Sequence, residues 1–179
     1  MRIGLSGTNW TGKSTTARLL TEQTPTASFD QVSLSKIGSG CPFPMQEDQT
    51  LDASRWMAER VQSILDSPVE AQIQLFDRTP IDILAFTRLA ADQAGSDADE
   101  SVYNGIVDLL QHFDSLYYLP FSDAWPTIEV VKTPRKVAFA LLMDRYMQTV
   151  IRELSIEVVF LPWELEARIS LLKRQICPE

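Results

Sequence analysis

Apolar positions along this chain switch period repeatedly, from short apolar-rich blocks to stretches where they recur every three or four residues. Blocks read as strands and the 3–4 recurrence as amphipathic helices. Residues 2–6 (Arg-Ile-Gly-Leu-Ser) predict a short buried strand, and 15–22 a helix. A strand is expected at 27–30, ending in Asp30. Residues 31–49 are rich in Ser, Gly and Pro, with the breaker pairs Cys41-Pro42 and Phe43-Pro44, and predict a long loop. Loops of that length tend to be functional or mobile. Ala53, Trp56, Met57, Val61, Ile64 and Leu65 keep helical spacing in a helix that Thr50 or Asp52 caps and that runs to about 66. A core strand at 72–77 ends in Asp77. Thr79 as cap and Pro80 in the first turn then open a helix through Leu89.

Gly95-Ser96-Asp97 breaks the pattern, and a helix is expected at 99–113. A strand follows at 115–119, stopped by Pro120. Residues 120–134 read as irregular. A helix spans about 135–154, a last strand 156–161, and a closing helix 163–175. Strands alternating with helices imply right-handed crossovers and a mainly parallel sheet covered on both faces. The expected fold is therefore a three-layer α/β/α domain over 1–179 with five strands. Its ligand should lie at their carboxyl ends.

Between the first strand and first helix stands Gly7-Thr8-Asn9-Trp10-Thr11-Gly12-Lys13-Ser14. This fits the P-loop pattern, Gly, any four residues, Gly-Lys-Ser/Thr, in the strand–loop–helix setting it needs. Glycine at 7 and 12 permits positive φ and close backbone approach. Successive N–H groups can then form an anion nest at a helix N-terminus. Lys13 supplies a point charge for β- and γ-phosphates, and Ser14 a hydroxyl for Mg²⁺. The expected nucleotide-binding set is Gly7, Thr8, Asn9, Trp10, Thr11, Gly12, Lys13, Ser14 and Thr15, with ATP and Mg²⁺ as cofactors. Mg²⁺ also needs a carboxylate near the end of a neighbouring strand, a position that Asp77 fills.

The net charge of −8 argues against broad nucleic-acid binding, which relies on phosphate neutralisation. The few cations, Lys13, Arg78, Lys132, Arg135, Lys136 and Arg145, therefore carry information. His112, Cys41 and Cys177 are too dispersed to form a metal cluster. Two cysteines suit a reducing compartment. No apolar run reaches bilayer length and the chain opens directly on a strand, so a cytoplasmic location is expected. Nothing in the pattern excludes a homodimer.

The segment Asp77-Arg78-Thr79-Pro80-Ile81-Asp82-Ile83-Leu84-Ala85-Phe86 resembles the Asp-Arg segment of thymidylate kinases and the Glu-Arg-Ser segment of deoxynucleoside kinases. The whole chain also resembles the small AAA-like ATPase/kinase domains related to ribosylnicotinamide kinase. The resemblance implies a phosphotransferase with Asp77 directed at Mg²⁺ and Arg78 holding the acceptor. It implies an acceptor-side region at 31–67 and a basic lid at 120–137 that contributes Arg135. An acid ending the second strand would be the base for a hydroxyl acceptor. Asp30 is read as that base or as a turn residue. Phe43, Trp56, Met57, Phe86 and Tyr103 are candidate pocket walls. Trp163 either stacks on adenine or anchors the last helix.

Transfer of the γ-phosphoryl of ATP to a nucleoside, nucleotide or similar small acceptor is the leading expectation, with a slight tilt to a hydroxyl acceptor. An ATPase acting as a switch or accessory protein is the alternative. The sequence carries no sensor motif and no Asn-Lys-x-Asp for guanine. A binding module without chemistry is disfavoured by intact Lys13, Ser14 and Asp77.

Overall fold

The computed structural model describes residues 1–96, 99–121 and 133–176. Strands β1 (Arg2–Ser6), β2 (Phe29–Ser33), β3 (Ile73–Asp77), β4 (Ser115–Tyr118) and β5 (Val159–Phe160) form one sheet in the order β2-β3-β1-β4-β5. Every pairing is parallel, because helical crossovers return each strand in the same direction. The helices are α1 (Lys13–Glu22), α2 (Leu34–Gly38), α3 (Leu51–Leu65), α4 (Pro80–Ala94), α5 (Glu100–Leu109), α6 (Pro134–Glu153) and α7 (Leu165–Ile176).

Alternation along the strands divides the core in two. Ile3, Leu5, Leu75 and Tyr117 point to the face covered by α1 and α7, where Leu20, Ile169 and Leu172 meet them. Phe76, Leu116 and Tyr118 point to the other face, with Met57, Leu84 and Met147 from the remaining helices. The three-layer arrangement is thus as expected. The α4 start is fixed by a capping box: Thr79 accepts from the Ile81 N–H at 3.1 Å, and Asp82 accepts from the Thr79 N–H at 3.0 Å. Gly95 closes the helix in a left-handed conformation.

Several boundaries differ from the sequence expectation. β2 begins at Phe29 and runs to Ser33, so Asp30 is its second residue and does not end it. The cause is pairing with β3, in register from Phe29↔Ile73 to Ser33↔Asp77. The stretch read as a loop at 31–49 instead contains the end of β2, then α2 and a 3₁₀ turn at Gln46–Asp48. Leu34, with partly buried Ile37 three residues on, holds α2 against the core. The helix expected at 99–113 ends at Leu109 and continues as a 3₁₀ turn, Leu110–His112. β5 keeps only two paired residues of the six expected.

Candidate active site

Parallel pairing of β1 and β3 sets the P-loop beside the β3 end, with Leu5 opposite Asp77. The turn out of β1 is tight. Gly7 has φ 143°, and a Cβ there would lie 2.5 Å from the Leu119 carbonyl oxygen. Gly12 has φ 86° as it enters α1. Trp10, at φ 65°, adopts the left-handed region inside the loop without being glycine.

Lys13 is 5% exposed and folds over the loop. Its ammonium donates to the Thr8 carbonyl at 2.7 Å and to Thr11 Oγ1 at 3.4 Å. Thr11 Oγ1 in turn donates to Thr8 O at 2.9 Å. Desolvation lowers the Lys13 pKa from 10.5 to about 7, reinforced by the nearby Arg78 and Arg168 charges and opposed by Asp82 and Asp77. Ser14 donates to Asp77 Oδ2 at 2.5 Å. The other carboxylate oxygen, Asp77 Oδ1, is buried with no hydrogen-bond partner among the described residues. Such an oxygen calls for a cation or water.

That orphan oxygen, beside Ser14 Oγ, fits a divalent cation. Among the described residues, no group of three or more His, Cys, Asp or Glu gathers. An ion here would therefore complete its shell with phosphate oxygens and water, the habit of Mg²⁺.

Arg78 follows directly. Its backbone sits at φ 81°, a strained conformation for a non-glycine residue. Its N–H donates to Leu5 O at 2.9 Å, which holds the strain in place. The guanidinium spreads over Ser35 Oγ at 2.8 Å, Asn9 Oδ1 at 2.5 Å and Asp82 Oδ1 at 3.2 Å. Burial pushes the Asp82 carboxyl pKa up, against the pull of Arg78 and Lys13. Arg78 and Asp82 line a cavity of about 320 Å³ walled by Leu34, Met45, Met57 and Phe86, with Gln49 also in its lining.

Of the expected site residues, Gly7 through Thr15, Asp77 and Arg78 converge at the carboxyl ends of β1 and β3. Asp30 does not join them. It is exposed, stands opposite Gln74 near the start of β3, and accepts from the Gln74 side chain at 2.9 Å. Three residues of strand, about 10 Å, separate it from the β2 end. The residue at that end is Ser33.

Arg135 is 80% exposed in the first turn of α6 and pairs with Glu47. Arg145 lies further along α6, in a groove with Arg88, Asp92 and Tyr146. Lys132 and most of the expected lid lie outside the described residues, as does Cys177. Met57 and Phe86 wall the cavity as expected, whereas Phe43, Trp56 and Tyr103 are not among its lining residues. Trp56 packs under Arg60, and Tyr103 accepts from Arg88.

Two groups escaped the sequence reading. Gln49 is 5% exposed yet reaches the cavity. Arg168 is 1% exposed and binds the P-loop from behind. The signal for Arg168 was available: with Leu165, Ile169, Leu172 and Ile176 it falls on the apolar face of α7.

No protein-family model matches the sequence, and no curated protein matches it. Solved structures do match in three dimensions. The fold is similar to deoxyadenosine kinase from M. mycoides with dCMP and a flexible dCDP bound, at TM-score 0.64 and 16% identity over 98% of both chains. The same enzyme with dATP gives 0.63 and 17%. Thymidylate kinase from Candida albicans gives 0.58 and 17%, over 98% of this chain and 90% of that one. The chain therefore has the α/β fold of P-loop nucleoside and nucleotide kinases.

Proposed function

We propose that this protein is an ATP- and Mg²⁺-dependent phosphotransferase whose acceptor is a small molecule seated in the Arg78 cavity. One observation carries the reading. A P-loop with a buried lysine, a Ser14–Asp77 pair with an orphan carboxylate oxygen, and a cavity under an arginine all meet at one sheet end.

The residues divide the work. Nest N–H groups and Lys13 bind the donor phosphates. Ser14 and Asp77 would hold Mg²⁺, which, when bound, withdraws charge from the phosphate oxygens. Arg78 orients the acceptor against the transferred group. Most of the rate gain in such a site comes from positioning and preorganised charge. An acceptor seated against the apolar side of the cavity would displace water, which otherwise competes as acceptor.

We infer the acceptor class from where the acids lie among the described residues. A hydroxyl acceptor needs a base within hydrogen-bond reach. Asp30 is too far along β2 to serve. Asp82 lines the cavity, but its oxygens are committed to the Thr79 N–H and to Arg78. An acceptor that brings its own ionised oxygen needs no base and is matched by Arg78. A nucleoside monophosphate has that chemistry, and the earlier tilt towards a hydroxyl is reversed here.

ADP release should be measured with nucleosides, nucleoside monophosphates and no acceptor. Monophosphate-dependent release is expected. Turnover independent of any acceptor would overturn the kinase reading and favour an ATPase. Turnover with nucleosides alone would overturn the acceptor class.

A further inference from the structure

Arg168 lies in the first turn of α7, where a positive charge opposes the helix dipole. It is also 1% exposed, and burying a guanidinium carries a desolvation penalty. Its donors reach two separate pieces of chain. On one side, Nε donates to the Pro162 carbonyl at 3.0 Å and Nη2 to the Trp163 carbonyl at 3.2 Å. These belong to the loop that leaves β5. On the other side, Nη1 donates to the Thr11 carbonyl at 3.1 Å and to Thr16 Oγ1 at 3.0 Å. Thr16 Oγ1 passes the connection on to Gly12 O at 2.9 Å. The cation thus bridges the end of the P-loop, the start of α1 and the β5 loop.

The sheet order makes that bridge informative. The Arg78 cavity lies on the β3 and β2 side of the P-loop, and the β5 loop lies on the opposite side, beyond β4. A nucleotide whose phosphates sit in the nest must send its base away from the acceptor, towards the β5 loop. Trp163 offers an exposed indole there. We propose that Arg168 is a positioning residue that locks the β5 loop to the P-loop, so that the base and the phosphates of the donor meet surfaces held at one fixed separation. This rests on the phosphotransferase reading above and adds to it a residue that touches neither substrate.

The planar fork is what the role requires. Lysine keeps the charge but offers one nitrogen, which cannot reach both loops at once. Arg168→Lys therefore separates geometry from charge. The readout is direct titration of ADP and, separately, inorganic pyrophosphate, because ADP spans both loops and pyrophosphate occupies the nest alone. Arg168→Lys is expected to weaken ADP by about tenfold or more while changing pyrophosphate by about twofold or less. Its KM for the acceptor should stay at the parent value.

Equal affinity of ADP for parent and variant overturns the proposal. So does equal weakening of ADP and pyrophosphate, which a general loosening of the fold would produce. If Arg168→Lys does not fold, Thr16→Val carries the test, since it cuts one tether on the P-loop side and leaves the guanidinium in place. It should weaken ADP more than pyrophosphate, and the reverse order overturns the coupling. A parent protein that binds neither ligand removes the nucleotide-site reading itself, and the proposal with it. That result differs from a parent that binds both and a variant that matches it.

Discussion

Anion binding to the P-loop should take up a proton, and Lys13 sets how much. Its pKa is lowered to about 7, first by burial and then by Arg78 and Arg168, with Asp82 and Asp77 opposing. A polyphosphate in contact with the ammonium favours the charged form and raises that value again. At pH 8 a group with a pKa of about 7 is roughly one-tenth protonated, so a fully charged lysine in the complex means uptake of about 0.9 proton. At pH 6 the uptake falls to about 0.1, and log Kd should rise by about 0.9 per pH unit near pH 8. Calorimetric titration of ADP at pH 8, in two buffers of different ionisation enthalpy, counts the protons directly. Lys13→Met fills similar space without a titrating group and should bring the count close to zero. A count near zero in the parent, or an equal count in Lys13→Met, would refute the reasoning. The shift also has a sign for the unliganded protein. The folded pKa lies below the unfolded one, so the unfolded chain holds more protons between pH 7 and 10.5. Stability from this group should rise with pH across that window.

Asp77→Asn should lower kcat by about 10² or more, as loss of a preorganised charge does elsewhere; an unchanged kcat and metal dependence would make Asp77 a structural strand end. Arg78→Lys should raise the acceptor KM by about tenfold while leaving the ATP KM alone, because the fork over Ser35, Asn9 and Asp82 cannot be copied by an ammonium. A rise in the ATP KM instead would move Arg78 to the donor side. Asp30→Asn should leave kcat within about twofold of the parent, since lone surface substitutions rarely matter. A large loss there would restore the base at that position. Thr79→Val removes the α4 cap and the 2.5 Å contact with Ser6 Oγ, and should cost about 2 kcal/mol in chemical denaturation. An unchanged midpoint would mean the cap contributes nothing.

What was legible in the chain was local. The P-loop has fixed offsets, and the Asp77–Asp82 segment sits in a strand–cap–helix whose signals all lie within six residues. The alternation of strands and helices gave the layers and the parallel sheet. What could not be read was set by partners distant in sequence. The extent of β2 depends on its register against β3, about 44 residues away, and that register moved Asp30 away from the strand end. α2 forms in a Ser- and Gly-rich stretch because Leu34 and Ile37 find the core, which local propensity does not report. Arg168 is a different case: its place on the apolar face of α7 is legible, but an arginine on a closing helix is ordinarily solvated, and its partners on the P-loop are not local.

The distribution of charge ties these pieces together. The chain carries a net −8, yet Lys13, Arg78 and Arg168 converge around one loop, each largely buried. Arg78 and Arg168 both act to lower the Lys13 pKa, so each repels the Lys13 ammonium. Asp82 and Asp77 act in the opposite direction, and burial pushes the Asp82 carboxyl pKa up. On the phosphotransferase reading, a bound polyphosphate would add negative charge beside these cations, and its binding would be favoured by relief of the repulsion on Lys13 as well as by direct contacts. A ligand held this way should stabilise the protein by about 2.7 kcal/mol at one hundred times its Kd. On the phosphotransferase reading the same cations favour a polyanion in the site, and Arg78, alone of the three in lining the cavity, would extend that preference to the acceptor.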